Sequence, residues 1–253
     1  MSQHPPVFEG MAMDTTKIVL NNLKVNLVRY SYGKPNINFL VVHDDEDTGV
    51  KAAFEYIQFS GGSLIDCQYG GGRNFRFSHQ GNNFITDPNS IYTYEGVVTR
   101  LYKFGNADND EVLKQLQQIS TTILDTYNAK QLGYFFTLHN NAEEGFGIST
   151  YLKDNELGST ADSVFINPLM DADDLIFVTD LKLYKALKAV NVNCVLQSAD
   201  APDDGSLSVY AMQKGIPYIN VEVQHGHRDE HLRLIEIAIR VLYASYPEIK
   251  KGP

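Results

Sequence analysis

Basic residues are scarce in this chain. Its 21 Lys and Arg stand against 31 Asp and Glu, for a formal charge of -10. So acidic a protein lacks the positive surface that nucleic acid or an anionic membrane face attracts, and neither partner is expected. Long apolar runs are missing too: no stretch approaches the roughly 18 apolar residues of a membrane-spanning helix. Cysteine is confined to Cys67 and Cys194, far apart and each within an apolar run. That excludes a disulfide framework and predicts two buried free thiols. The start, MSQHPPVFEGMAMDTTK, has neither the basic region nor the apolar core of a signal peptide. A cytoplasmic location is the default expectation, and a periplasmic or secreted one holds if a leader was removed. No GxGxxG opens a helix after a strand, and GGGR lacks the Lys-Ser/Thr of a phosphate loop.

What the chain does have is a full core's worth of apolar residues, 43 % of 253. That length fits one α/β domain. Glycine (19) and proline (9) are at ordinary levels, so no large disordered part is implied, and 15 tyrosines are available to line a pocket or cover the surface.

Residues 1–14 read as a loose tail before a single domain over 15–253. KIVLNNLKVNLVRY alternates like strands broken at Asn21 and Asn22, a hairpin or edge pair. A strand is expected over 37–43. Asp47 or Thr48 then caps a helix through VKAAFEYIQFS that Gly61 and Gly62 stop. SLIDCQ is a strand, and GGGRNFRFSHQGNNFITD a hairpin. In NADNDEVLKQLQQISTTILDTY, Val112, Leu113, Leu116, Ile119 and Ile123 make one apolar helix face. Strands follow at 132–138, near 147–151 and 163–166, at LIFVTD, 193–198 and 217–223. Helices fill LKLYKALKAV, 206–214 and 229–245. Strands alternating with helices, several of them apolar throughout, predict an α/β fold. Its central sheet is expected to be mixed but largely parallel, with helices on both faces.

Chemistry concentrates where apolar runs end. NFLVVHDDEDTG closes a run on His43, with Glu46 three residues on. Imidazole and carboxylate are ligand types of Zn²⁺, although such a pair alone is more often an ordinary surface pair. LGYFFTLH ends a second run on His139. Asn140, Asn141, Ala142, Glu143 and Glu144 follow, residues no buried strand is expected to tolerate. Glu222 lies inside the apparent strand of GIPYINVEVQHG. A carboxylate there is costly unless paired or used, and a salt bridge to Arg73, Arg76 or Arg228 is the plain alternative. Asp44, Asp45 and Asp47 are available to orient an imidazole or to act as solvated turn and cap residues. His225 and His227, just past Glu222, suit a second metal or a pocket rim.

The order His-x-x-Glu, a distant His, and a Glu in a late strand resembles the zinc carboxypeptidases and their amidase and deacylase relatives, over about residues 36–245. The resemblance implies a carboxypeptidase-like (phosphorylase/hydrolase-like) fold and one zinc on His43, Glu46 and His139. It makes Glu222 the general base. Arg73, ahead of Asp87-Pro88-Asn89-Ser90, corresponds to an Arg that stabilises the developing oxyanion, with Arg76 competing by register. Asn89 corresponds to a substrate contact, and Tyr210 is the nearest candidate for an active-site tyrosine. Ser90 departs from the pattern: the family's Arg, which clamps a terminal carboxylate, is absent.

The activity so implied is zinc-dependent hydrolysis of an amide in a small peptide or N-acyl amino acid, cell-wall peptides being a substrate class by resemblance only. A deacylase of N-acyl amino acids is the alternative within enzymes. A non-catalytic binding protein that kept the fold is the other, and it requires Glu222 to be paired with a fixed cation.

Overall fold

The computed structural model describes residues 4–34, 36–105, 109–142 and 145–249. At one edge, β1 (Ala12–Leu20) and β2 (Leu23–Tyr32) pair antiparallel through a turn at Asn21, whose φ is 54°. Asparagine tolerates that left-handed backbone, so the Asn-Asn break is a hairpin turn. Regular structure begins at Ala12, and the tail is held further back. The His4 ring sits 3.1 Å from Asp44 and 3.0 Å from Asp66. Residues 1–3 of the expected tail lie outside the described residues.

The chain continues through β3 (Asn38–Val41), α1 (Asp47–Ser60) and β4 (Gly62–Gln68). A separate two-stranded sheet follows, β5 (Phe75–His79) with β6 (Asn82–Thr86). Then come α2 (Tyr94–Lys103), α3 (Asp110–Tyr127), α4 (Ala129–Leu132) and β7 (Phe135–Asn141). β8 (Ala161–Phe165), β9 (Leu175–Val178), α5 (Leu181–Ala189) and β10 (Cys194–Gln197) precede α6 (Leu207–Gln213), β11 (Tyr218–Gln224) and α7 (Arg228–Ser245).

Nine strands form one sheet in the order β1-β2-β4-β3-β7-β11-β9-β10-β8. Its centre, β4-β3-β7-β11, is parallel. On one flank β1, β2 and β4 pair antiparallel, and on the other so do β11 with β9 and β10 with β8. Among the described residues, β9 with β10 is the one parallel pair outside the centre. The sheet is therefore mixed but not largely parallel. An apolar run such as LIFV signals burial on both faces, and direction is set by the connection, which composition does not encode. β7 shows both faces covered. Phe135 stacks on Tyr127 of α3 at 5.3 Å and meets Tyr210 of α6 at 6.3 Å, while Phe136 meets Phe39, which touches Tyr56 of α1.

Several expectations are corrected. β7 runs through His139 to Asn141, and all seven of its residues are buried. Asn140 is tolerated because every polar atom is used. Its Oδ1 accepts from the Thr48 and Gly49 N–H at 3.1 and 3.2 Å, and its Nδ2 donates to the Val223 carbonyl. Asn140 thus satisfies α1's first turn from another strand, whereas the N-cap residue, Glu46, makes no side-chain cap bond. Neither Asp47 nor Thr48 is the cap. Glu143 and Glu144 lie outside the described residues. The strand expected near 147–151 is a 3-10 turn at Ile148–Tyr151. α3 starts at Asp110, where the Asn109 side chain accepts from the Glu111 and Val112 N–H. Residues 106–108, the expected helix start, are outside the described residues. α2 was not anticipated, and Cys67 and Cys194 are buried free thiols as expected.

Candidate metal centre

Three parallel neighbours deliver the site. Leu40 of β3 registers with Thr137 of β7, and His139 of β7 with Glu222 of β11. His43 lies just past β3, so all three side chains emerge at the carboxyl ends of the central strands, where open α/β sheets hold their ligands. Glu46 comes from the turn that starts α1.

His43, Glu46 and His139 are all buried and bring ligand atoms within 4.8 Å of one another. His43 Nδ1 is 2.9 Å from Glu46 Oε1 and 3.1 Å from His139 Nδ1, and His139 Nδ1 is 2.9 Å from Glu46 Oε2. The Nε2–H of His43 donates to Asp87 Oδ1 at 2.8 Å. A neutral His43 donating there turns its Nδ1 lone pair on a carboxylate and a second imidazole nitrogen. Without a cation, proximity of the carboxylates keeps a proton on the ring. Burial pushes the His43 imidazole down, but Glu46 and Asp87 override it and hold the group up at about 9. Glu46 Oε2 is buried with no hydrogen-bond partner despite its approach to His139. Two imidazoles and a carboxylate converging on one point, with an orphaned oxygen among them, fit a divalent ion, and this donor set suits zinc. Asp87 then orients the His43 ring from behind, a part that Asp44, bonded to His4 and to backbone N–H groups, does not play. Asp44 is buried and accepts from the Tyr69 and Gly71 N–H, fixing the turn that leads to Arg73.

Glu222 faces the same cavity, of about 650 Å³, whose lining also includes Arg73, Asn89, Arg100, Asn220 and His225. Among the described residues no ion pair forms on Glu222. Its Oε2 accepts from Asn220 Nδ2 at 3.1 Å. Thr137 Oγ1 lies 3.1 Å from Asn220 Oδ1 and 2.7 Å from the Tyr218 hydroxyl, a hydroxyl cluster that holds the Asn220 amide oxygen. Burial pushes the Glu222 carboxyl above its ordinary value and Glu46 adds to this, while His139, Asn220 and Arg73 pull against it. Arg73 donates from Nη1 to Glu46 Oε1 at 2.9 Å.

Two expected contacts are elsewhere. Arg76 is exposed on β5 and does not line the cavity, because its neighbours Phe75 and Phe77 take the buried face. Tyr210 lies on α6 against Phe135 and Tyr92, at the amino-terminal end of β7, and borders a different pocket. Arg228 pairs with Asp229 and Glu55, away from Glu222. His227 lies 3.5 Å from Asp174 and groups with Asp171 at the surface. Three residues went unread: Asp87 as the partner of His43, Asn220, and Arg100. Asn220 was findable, since position i−2 on a strand shares the face of Glu222. Arg100 carried no signal, because α2 itself went unseen.

No protein-family model and no curated protein matches the chain. Distant likenesses exist among solved structures. One is an aspartoacylase family protein from Mesorhizobium loti, 12 % identical, spanning 92 % of this chain and 67 % of that one, with a TM-score of 0.48. Two are described as putative metallopeptidases. That of Shewanella denitrificans is 12 % identical over 92 % of this chain and 83 % of that one, with a TM-score of 0.43. That of Shewanella baltica is 11 % identical over 96 % and 86 %, with a TM-score of 0.44. Among the described residues, no helix is long and apolar enough to cross a membrane.

Proposed function

We propose that this protein is a zinc-dependent hydrolase of an amide bond in a small peptide or N-acyl amino acid. The observation that carries the reading is the convergence of His43, Glu46 and His139, in one cavity with a buried Glu222 that forms no ion pair among the described residues. When bound, the ion supplies Lewis acidity toward a carbonyl and lowers the pKa of a water. Glu222 takes the proton of the attacking water and returns it to the leaving amine. The raised proton affinity that burial gives Glu222 suits both halves of that cycle. Asn220 holds the carboxylate in place. Arg73, at the cavity wall, stabilises negative charge developing on the carbonyl oxygen, and Asn89 contacts the substrate.

The binding-protein alternative requires a fixed cation on Glu222, and the Asn220 amide stands there instead. Ser90 stands where the family pattern has an Arg, so position 90 itself supplies no clamp for a terminal carboxylate. The test is metal content of protein purified without added metal. It is followed by hydrolysis of a peptide and N-acyl amino-acid panel with and without chelator. About one zinc per chain, lost in His139→Ala, together with chelator-sensitive turnover, is expected. Metal content unchanged in that variant refutes the ligand set, and no turnover on any panel member refutes the substrate class.

A further inference from the structure

The cavity wall is rich in carboxylates: Asp45, Glu46, Asp87, Asp204 and Glu222 all line it. Among the described residues, two Lys or Arg side chains join them there, Arg73 and Arg100. Arg73 is engaged by Glu46 in a 2.9 Å ion pair and is directed at the reacting carbonyl. Arg100 has no acid so close. Its Nε and Nη2 both donate to the neutral Ser90 hydroxyl, at 3.0 and 2.8 Å. Its nearest acid is Asp87 at 3.9 Å, whose other oxygen is engaged by His43. A guanidinium has five N–H donors in a rigid fork. Ser90 takes two and thereby orients the plane without satisfying the charge.

The backbone is shaped to bring Arg100 there. Gly96 lies one turn before it on α2, on the same face. A Cβ at Gly96 would fall 1.9 Å from the Gly205 nitrogen, and one at Gly205 would fall 2.5 Å from the Ser90 carbonyl oxygen. Two glycines in contact let α2 press onto the 201–206 loop and the Ser90 turn, closely enough for Arg100 to chelate the hydroxyl. Elsewhere on the wall, Phe146, Tyr151 and Phe177 make a continuous aromatic surface, with ring centroids 5.5 and 5.4 Å apart.

We infer that Arg100 is the specificity-determining residue for a substrate carboxylate, and that the ligand class is an N-acyl amino acid or short peptide bearing a free acid and an apolar side chain. The inference rests on reading this cavity as the hydrolase's substrate site. A carboxylate docking on the fork gains charge-assisted, paired hydrogen bonds. In a protein of charge -10 an anionic substrate requires such a local cation.

The experiment measures binding to the full chain stripped of metal, so that neither turnover nor a carboxylate–metal contact enters the result. The probes are N-acetyl-L-phenylalanine and its primary amide, titrated calorimetrically into the parent, Arg100→Gln and Arg100→Lys. The parent is expected to bind the acid about tenfold or more tighter than the amide, and Arg100→Gln to lose that preference while binding the amide as the parent does. Arg100→Lys restores part of it, since the charge returns without the fork. The inference is overturned if the parent shows no acid preference, including failure to bind either probe, or if Arg100→Gln keeps the preference. Circular dichroism and the amide affinity report whether each variant is folded. Should turnover be absent in the panel yet the Arg100-dependent preference persist, the hydrolase reading fails and the anion site stands. The converse result leaves the hydrolase without this determinant.

Discussion

The His43 Nε2–H donates to Asp87 Oδ1 at 2.8 Å, and Asp87 also accepts the Asn89 N–H at the same distance. One carboxylate therefore fixes both the ring of a ligand and the turn that carries Asn89. Asp87→Asn keeps an acceptor oxygen but removes the charge that favours this tautomer and raises the basicity of the ligating nitrogen. Zinc affinity is expected to fall about 10- to 100-fold with unchanged circular dichroism. Competition against a chelator of known affinity measures it, and an unaltered affinity removes Asp87 from the site.

Asn140 joins β7 to the first turn of α1, three residues or fewer from Glu46 in the fold's connectivity through Thr48 and Gly49. Asn140→Ala leaves two helix N–H groups and the Val223 carbonyl without this partner. A loss of about 1–3 kcal/mol is expected, read from urea midpoints of metal-free protein. Metal affinity should fall as well, because Glu46 is the residue at which that helix begins. A variant as stable as the parent would show that water replaces the amide at no net loss.

His43 and His139 were legible as candidates because each ends an apolar run, Glu46 because it stands three residues past the first, and Glu222 because a carboxylate inside a buried strand demands a reason. His43, Glu46 and His139 are brought together, and Glu222 registers with His139. The rest depends on contacts between segments far apart in the chain. Asn140 reads as a strand breaker until the α1 N-terminus is known to lie against it. Tyr210 reads as a pocket residue until α6 is known to turn it onto Phe135, four residues before His139 on the same face of β7. Arg100 is 54 residues beyond Glu46 in sequence and reaches the cavity only because Gly96 meets Gly205. Strand direction at the flanks was hidden for a related reason, since burial shapes composition and topology does not.

Glu222→Gln preserves size and the Asn220 contact while removing the group that accepts a proton. Zinc content is expected to stay near that of the parent, and turnover to drop about 100-fold or more. Normal turnover would sink the assignment as base. Loss of zinc would instead move Glu222 into the ligand set. Asn220→Leu should act in the same direction more weakly. It removes a donor that stabilises the charged form of Glu222, so the acid limb of the pH–rate profile should move to higher pH. An unmoved limb would limit Asn220 to a packing role.

His231 supplies a pH test independent of catalysis. It is buried on α7, with Nδ1 3.4 Å from Asn140 Nδ2 and no hydrogen-bond partner on Nε2. Burial pushes its imidazole down to about 3, with Glu46 opposing and His139 adding to the shift. An unfolded histidine titrates near about 6.5. Between these values the unfolded chain binds a proton that the folded chain refuses, so acid favours unfolding. The loss approaches about 1.4 kcal/mol per pH unit below pH 6.5 or so and ends near the folded value. His231→Leu abolishes this contribution and leaves every other titrating group in place. Unfolding free energies of metal-free parent and variant, compared from neutral pH down to about pH 5, should diverge, with the variant losing less stability per unit. Parallel curves would mean that His231 takes its proton inside the fold.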